Sequence, residues 1–351
     1  MNQPRIGVVG ATGYAGVELI RILSRHPLLK ITYLAAQKLE QSETYGHKIS
    51  AFRQFGELPA LEPFDLERCL DLCDLVFLAL PSGISGRLAL QIHHAGKKVI
   101  DLSGDLRLPK EVYESWYGLA SPLTQKDTHA VYGLSDWQAE QIANQSLISN
   151  PGCYATAALL SLLPICQTKL VESQSVWVVD AKSGSTGAGK SPQPHLLLSE
   201  LSNNFYPYRV GCHQHTPEIE QKLQEESKQA DLQIQLTTQL LPIPRGILVS
   251  AYIPLCSTVS FTDLYEIYQN AYHDTPFVSI LPCGEWPQIQ SVLGANTCHI
   301  ALHVDNRTQM LQIFAVIDNL QKGAAGQAVQ NMNLMLGWPM ETGLSLIGSA
   351  P

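Results

Sequence analysis

Cys153 is the residue of this chain whose sequence surroundings best suit covalent chemistry. It follows a short apolar strand at residues 147–149 and a Pro151-Gly152 turn, and an alanine- and leucine-rich run that predicts a helix comes next. A thiol at a helix N-terminus loses its proton more easily, because unpaired N–H groups and the helix dipole favour an anion. The thiolate is the reactive form, so the sequence indicates a nucleophile, with a small packed hydrophobe as the alternative.

Two histidines further along the chain are candidate acid/base partners for that thiol. His213 and His215 are two residues apart on a segment predicted to be extended, so their rings would face the same way. The sequence predicts that Thr216 caps the next helix, with Pro217 at its first position and Glu218 in its first turn. A metal pair is the alternative, which no neighbouring carboxylate or cysteine pattern supports.

A glycine-rich segment near the start of the chain indicates a dinucleotide site. It lies between a predicted strand at residues 6–9 and a helix that ends by His26-Pro27. Glycines here allow a tight turn and a close approach to a diphosphate resting on the helix N-terminus; the alternative is a turn without a ligand. The cofactor-binding residues predicted in this segment are Gly10, Thr12, Gly13, Tyr14, Ala15 and Gly16.

The end of the second strand bears on the choice between NAD and NADP. This strand, residues 31–35, should end beside the adenosine ribose, where a carboxylate would bind the 2′-hydroxyl of NAD. The chain has Lys38 there, and its first acid is Glu40. The sequence therefore favours a 2′-phosphate and NADP, with a solvated loop lysine as the alternative.

Two further strand ends carry candidate ligand-binding residues. A strand at residues 75–80 ends in Pro81-Ser82-Gly83, and ligands of parallel sheets bind at such carboxyl ends. Arg107 follows the strand at residues 99–102 and is a candidate anion anchor, with an ordinary surface arginine as the alternative.

The order of predicted elements indicates an α/β protein with two domains. Strands alternate with helices over residues 1–150, which predicts a Rossmann-like, doubly wound parallel sheet. Strands predicted within residues 151–319 indicate an α+β catalytic and dimerisation domain with a mixed or antiparallel sheet. A helix is predicted over residues 319–336, and the C-terminal residues 320–351 are expected to pack back on the first domain.

One loop matches a phosphate-binding motif, but the residues that follow it argue against phosphate binding. Residues 184–191, GSTGAGKS, fit the pattern G-x-x-x-x-G-K-S of ATPases and GTPases. Such a loop must open a helix, and here Pro192 and Pro194 follow at once. We expect a flexible loop at the edge of a substrate pocket instead.

Composition excludes several other classes of protein. The chain has 351 residues, a net charge of −8, 45% hydrophobic residues and 15% charged residues, which argues against a nucleic-acid surface. No apolar run is long enough to span a bilayer, and no secretory signal is recognised at the start. The eight cysteines are scattered, so we expect reduced thiols, no metal site and a cytoplasmic protein.

Nearly the whole chain resembles the N-acetyl-γ-glutamyl-phosphate reductase family of the aspartate-semialdehyde dehydrogenase superfamily. The resemblance rests on residues 10–16 (GATGYAG), 101–107 (DLSGDLR), 150–156 (NPGCYAT), 213–219 (HQHTPEI) and 319–333 (NLQKGAAGQAVQNMN). The chain departs from the family at two positions where arginine is usual, because it has Lys190 and Gln214.

The resemblance implies a covalent, NADP(H)-dependent mechanism on a small acyl phosphate. Cys153 would attack the acyl carbon and expel phosphate, and the thioester would be reduced to N-acetylglutamate 5-semialdehyde. It also implies His215 as the acid/base, with His213 as second choice, and Glu218 as the group that orients the histidine. Implied substrate-binding residues are Arg107 for the phosphate, Asn150, His213 and Arg245, and Ser82 and Gly83 would lie near the nicotinamide. The family forms dimers and tetramers, so a homodimer or homotetramer is expected.

Two rival functions stay open on the sequence. One is a sister enzyme that acts on a carrier-protein-linked aminoadipyl or glutamyl phosphate, which would need a basic groove. The other is a non-catalytic regulator that senses NADP and has no need of Cys153 or His215.

Overall fold

The computed structural model of the protein describes residues 3–36, 39–124, 130–172 and 175–349. The strands are β1 Arg5–Val9, β2 Lys30–Ala36, β3 Leu61–Pro63, β4 Leu75–Leu78, β5 Lys98–Asp101, β6 Val131–Tyr132, β7 Leu147–Ser149, β8 Trp177–Ser183, β9 Tyr206–Tyr208, β10 Ile234–Leu240, β11 Ile247–Pro254, β12 Val278–Ile280, β13 Cys298–Asp305 and β14 Met310–Ile317. The α-helices are α1 Tyr14–Leu23, α2 Tyr45–Lys48, α3 Leu66–Leu72, α4 Ser85–His94, α5 Lys110–Tyr117, α6 Ser135–Ile142, α7 Cys153–Cys166, α8 Leu198–Leu201, α9 His215–Ser227, α10 Phe261–Tyr272, α11 Ile289–Val292 and α12 Gly326–Met335.

The chain folds as two compact units. The first unit contains the residues up to Pro151 and the segment Ala324–Leu344. The second contains Gly152–Gly323 and, near the C-terminus, residues 345–349. Helix α12 thus belongs to the first unit, where it contacts α1 and α6.

The first unit is built on a parallel sheet. Within the described residues its seven strands have the order β3-β2-β1-β4-β5-β7-β6, and each pair of neighbours is parallel. Every residue of β4 is buried, as expected for a strand covered on both faces. The strand order reverses between β1 and β4, and dinucleotides bind at such a switch point. The prediction of a Rossmann-like sheet is confirmed.

The second unit is built on a mixed sheet, as predicted. Its strands, in the described part of the chain, have the order β12-β13-β14-β11-β8-β10-β9, with β8 and β10 parallel and β8, β11 and β14 antiparallel in turn. Helix α7 contacts β11 and β14. The row formed by Val179, Ala251 and Ile313 is fully buried. Val178, on the opposite face of β8, is 39% exposed.

Two helix boundaries differ from the predictions. Helix α9 begins at His215, so the prediction of Thr216 as its cap is wrong: Gln214 already has helical backbone angles (φ −60°, ψ −21°). The C-terminal helix begins at Gly326 and follows a π-helical segment, Gln321–Ala325. The reason is that the Asp318 carboxylate accepts the N–H groups of Leu320 and Gln321, which turns the chain before the α-helix starts.

Candidate active site

Cys153 is the first residue of α7, in the position the sequence predicted for a nucleophile. The cap residue Gly152 has extended backbone and makes no side-chain cap hydrogen bond. Cys153 is partly exposed, whereas the residues that follow it in α7 are all buried. The helix N-terminus therefore presents its dipole to a sulfur that solvent or a ligand can reach, which favours the thiolate.

Glu218 is tied to the backbone that holds Cys153. It lies in the first turn of α9, is 2% exposed, and its Oε1 accepts the N–H of Gly152 at 2.8 Å. Helices α7 and α9 pack against each other, so this bond fixes the start of one relative to the other. The predicted role of Glu218, orienting a histidine, stays a prediction.

The two histidine rings are in contact, although the segment that carries them is not extended as predicted. Their ring centroids are 4.7 Å apart, and both rings also pack edge-on against Tyr154. A turn brings them together, because the N–H of Thr216 donates to the carbonyl of His213 at 2.9 Å. The prediction of an extended segment is wrong, and the contact between the rings results from a turn that the sequence analysis did not predict.

Hydrogen bonding fixes the tautomer of His213. The backbone N–H of His215 donates to His213 Nδ1 at 3.2 Å. That nitrogen must therefore be the acceptor, and a neutral His213 ring carries its proton on Nε2. Burial, aided by the positive charges of His215 and Arg209, lowers the pKa of His213 to about 2. His213 is thus a neutral donor over the whole physiological pH range.

Cys153, His213 and His215 line one cavity of about 570 Å³ within the second unit. Tyr208 also lines it and donates from its hydroxyl to the Tyr154 hydroxyl at 3.0 Å. Burial, together with the negative charge of a nearby Cys153 thiolate, raises the pKa of Tyr208 to about 12, so this phenol stays neutral. The wall of the cavity therefore combines one thiol, two imidazoles and neutral phenols.

Arg209 is a cavity residue that the sequence analysis did not single out. It has a left-handed backbone (φ 50°), lines the cavity, and donates from its guanidinium to the side-chain oxygen of Gln214. That partner is uncharged, so the positive charge of Arg209 is not neutralised by Gln214. The signal in the sequence was its place four residues before His213.

The glycine-rich loop at residues 184–191 borders the cavity and is not a phosphate-binding loop. The N–H groups of Ser185 and Thr186 donate to the carbonyls of Ile243 and Pro244, so they are not directed at a ligand. Residues 184–197, all of them described, contain only 3₁₀ turns, at Ser185–Ala188 and Pro194–Leu196. This geometry argues against an ATPase or GTPase loop, as the prolines in the sequence do.

Arg245, a predicted substrate-binding residue, is engaged by a carboxylate of its own unit. Its Nε lies 3.1 Å from Asp318 Oδ1, and its Nη2 lies 2.8 Å from Asp318 Oδ2, which is a bidentate pair. Asp318 is fully buried. Arg245 is not among the described residues that line the cavity, so its role toward a substrate stays a prediction.

Arg107 and Asn150, also predicted to bind substrate, hold the backbone of the first unit together. Arg107 donates from Nε to the carbonyl of Asn150 and from Nη2 to that of Leu102, each at 2.9 Å. The Asn150 side chain donates to the carbonyl of Ala324 and accepts from Asn331. Both side chains are buried, and these bonds position the segment that leads to Cys153.

The loop after β1 fits the diphosphate of a dinucleotide. Gly10 has φ 89°, and a Cβ there would lie 2.2 Å from the carbonyl oxygen of Ala79, so only glycine is accommodated. A Cβ at Gly16 would lie 2.2 Å from the carbonyl oxygen of Gly10, so α1 packs tightly on the loop. The cap residue Gly13 uses no side chain, which leaves the first N–H groups of α1 accessible for an anion. Lys38 lies outside the described residues.

The described residues contain neither a membrane-spanning helix nor a metal-binding cluster. No helix among them has the length and apolarity needed to cross a membrane. No group of three or more histidine, cysteine, aspartate or glutamate residues among them could hold a metal ion.

Comparison with known proteins matches both units to one enzyme family. Residues 5–145 match the semialdehyde dehydrogenase NAD binding domain, and residues 153–319 match the semialdehyde dehydrogenase dimerisation domain. The chain is 47% identical to the N-acetyl-gamma-glutamyl-phosphate reductase of Brevibacillus brevis over 349 residues, 99% of each chain. The chain belongs to the N-acetyl-γ-glutamyl-phosphate reductase family. The Bacillus subtilis member is 44% identical and covers 97% of this chain and 98% of its own length.

Solved structures support the fold at much lower identity. Aspartate semialdehyde dehydrogenase II of Vibrio cholerae, complexed with ASA, has a TM-score of 0.73 at 17% identity and covers 96% of this chain and 99% of its own. The Candida albicans aspartate semialdehyde dehydrogenase, solved with NADP, has a TM-score of 0.67 at 14% identity with the same coverage. The domain match and the loop after β1 together indicate a nicotinamide cofactor.

Proposed function

We propose that the chain catalyses the NADPH-dependent reductive dephosphorylation of N-acetyl-L-glutamyl 5-phosphate to N-acetyl-L-glutamate 5-semialdehyde. The observation that carries this proposal is the cavity on which a helix-N-terminal thiol and two contacting imidazoles lie together. Family membership supplies the substrate class. The substrate is a small acyl phosphate, and the reaction is one step in the synthesis of arginine.

Cys153 carries the acyl group. Its thiolate attacks the acyl carbon, the carbon–sulfur bond forms, the carbon–oxygen bond to phosphate breaks, and inorganic phosphate leaves. A thiolate suits both halves of the cycle because it is a good nucleophile and a good leaving group. When the aldehyde is released, the carbon–sulfur bond breaks and the thiolate is restored.

The two histidines take different roles. His213 cannot act as a base near neutral pH, because its Nδ1 accepts a backbone N–H and its pKa is lowered to about 2. It donates a hydrogen bond from Nε2 to the oxygen of the acyl group. His215 transfers the proton of that oxygen before the aldehyde leaves.

Arg209 binds an anionic group of the substrate. N-acetylglutamyl phosphate carries a carboxylate and a phosphate, and a guanidinium that donates to the uncharged amide oxygen of Gln214 keeps its charge for either group.

The first unit holds the coenzyme. The backbone of Gly10–Gly16 would hold the diphosphate on the N-terminus of α1. Ser82 and Gly83 lie at the switch point of the sheet and would contact the nicotinamide half. When bound, the coenzyme supplies the hydride. The sequence after β2 favours NADP, because it has Lys38 near the expected ribose position and its first carboxylate is Glu40.

The enzyme assembles as a homodimer or homotetramer in the cytoplasm. The matched dimerisation domain includes the mixed sheet, one face of which is partly exposed at Val178. The loop residue Trp286, 52% exposed, packs its ring against Phe314 of β14. The eight cysteines are scattered along the sequence, which supports reduced thiols in a reducing compartment.

The reaction is tested most simply in reverse. The protein is mixed with N-acetylglutamate 5-semialdehyde, phosphate and either NADP or NAD, and absorbance of the reduced coenzyme is followed. We expect turnover that needs phosphate and is faster with NADP. A folded preparation that gives no signal with either coenzyme would contradict the proposal.

A further inference from the structure

One buried carboxylate organises the loop that follows β4. Asp105 is 1% exposed, and its Oδ1 accepts the N–H of Gly83 at 2.8 Å while its Oδ2 accepts the N–H of Gly86 at 2.8 Å. The Tyr113 hydroxyl donates to Oδ1 at 2.7 Å. Three donors from the β4–α4 loop, helix α4 and helix α5 therefore converge on one side chain.

The surroundings of this carboxylate leave little freedom to the loop. Gly83 has φ 88°, and a Cβ at Gly86 would lie 2.6 Å from Asp105 Cβ. The Ser82 hydroxyl accepts the N–H of Gly104 at 3.1 Å, which joins the loop after β4 to the loop after β5 a second time. Ser82 and Gly83 are both partly accessible, so one side of the loop is fixed and the other is open to a ligand.

The loop lies at the carboxyl end of β4, beside the point where the strand order reverses. We infer that Asp105 is a positioning residue for the coenzyme, one that fixes the Ser82–Gly83 backbone where the nicotinamide half binds. This inference rests on the proposed function for the identity of the ligand. It assigns to Asp105 no contact with the substrate and no transfer of a proton.

The decisive variant is Asp105→Asn. Both carboxylate oxygens accept a backbone N–H, so the amide NH₂ must face one of these donors whichever way it is turned. Binding is measured by fluorescence with NADPH or NADH, whichever the wild type binds more tightly. The matched control ligand is the same coenzyme without nicotinamide, 2′-phospho-ADP-ribose or ADP-ribose, which depends on the loop after β1. We expect the Kd of the coenzyme to rise about tenfold and that of the fragment to stay within about twofold.

Either of two results would overturn the inference: unchanged coenzyme binding in the folded variant, or equal weakening of coenzyme and fragment. If Asp105→Asn does not fold, Tyr113→Phe removes one donor and leaves the carboxylate, and about threefold weaker binding of the coenzyme alone is expected. No effect of Tyr113→Phe would then count against the inference. These binding assays need no turnover. A wild-type protein without reductase activity would therefore refute the proposed function, while the binding comparison would still decide the role of Asp105.

Discussion

At Cys153, two backbone features act on one sulfur. The N-terminus of α7 favours the thiolate, and the bond from the Gly152 N–H to Glu218 fixes the residue directly before it. A hydroxyl in place of the thiol would have the same position and a far higher pKa. We therefore predict that Cys153→Ser lowers turnover by at least about 10³-fold. Coenzyme binding, measured by fluorescence, should match the wild type; retained turnover would contradict the assignment.

The two histidines should differ in how their loss affects the pH dependence of the rate. The pKa of His213 is lowered from 6.5 to about 2, so its protonation state is constant from about pH 5 to 9. His213→Phe should lower kcat by about 10²-fold without changing the shape of the pH–rate profile. His213→Gln restores an N–H donor near Nε2 and should recover much of that loss.

The comparison for this prediction is His215→Gln. Removing the acid/base proposed at His215 should eliminate one limb of the pH–rate profile. If the limb of the pH–rate profile disappears in the His213 variants and remains in His215→Gln, then His213 is the acid/base and the assignment is wrong.

At the scale of elements, local sequence patterns predicted the fold. Residues whose roles depend on tertiary contacts could not be predicted in the same way. The apolar run after Cys153 and the glycines after β1 are local signals, and both gave correct elements. Arg209 stands near His213 and Asp105 lies within the 101–107 motif, but their positions did not reveal their roles, because those roles depend on partners that folding brings to them. The start of α9 was misplaced because Gln214, a poor capping residue, is already helical.

The π-helical segment Gln321–Ala325 packs closely against Cys153 through Gly323. A Cβ at Gly323 would lie 2.8 Å from Cys153 Cβ, so Gly323→Ala must displace one of the two. We predict that Gly323→Ala lowers kcat by about 10²-fold, since a shift of about 1 Å is enough for such a loss.

The control for Gly323→Ala is the same substitution at Gly56, in the first unit. A Cβ at Gly56 would have no atom within 4 Å. Gly56→Ala should leave kcat unchanged. Both variants should keep wild-type coenzyme affinity, and wild-type kcat in Gly323→Ala would show that the segment does not constrain Cys153.

At the scale of the whole molecule, the partly exposed face of the mixed sheet is the surface proposed for self-association. Val178 lies on this face between β10 and β11 and is 39% exposed. We predict that Val178→Asp shifts the assembly to a smaller species in sedimentation velocity, because a charge would replace the apolar contact that Val178 makes in the interface. Leu28→Asp, equally exposed at 39% in the first unit, should leave the assembly intact. An unchanged sedimentation coefficient for Val178→Asp would place the interface elsewhere.

The most direct test of the covalent mechanism is to trap the acyl group on the protein. Coenzyme-free enzyme is mixed with N-acetylglutamyl phosphate, quenched in acid and digested, and the peptides are analysed by mass spectrometry. We predict one equivalent of N-acetylglutamyl group on the peptide that contains Cys153, with the label absent in Cys153→Ser. Acylation at another residue, or phosphate release that persists in Cys153→Ser, would contradict the account.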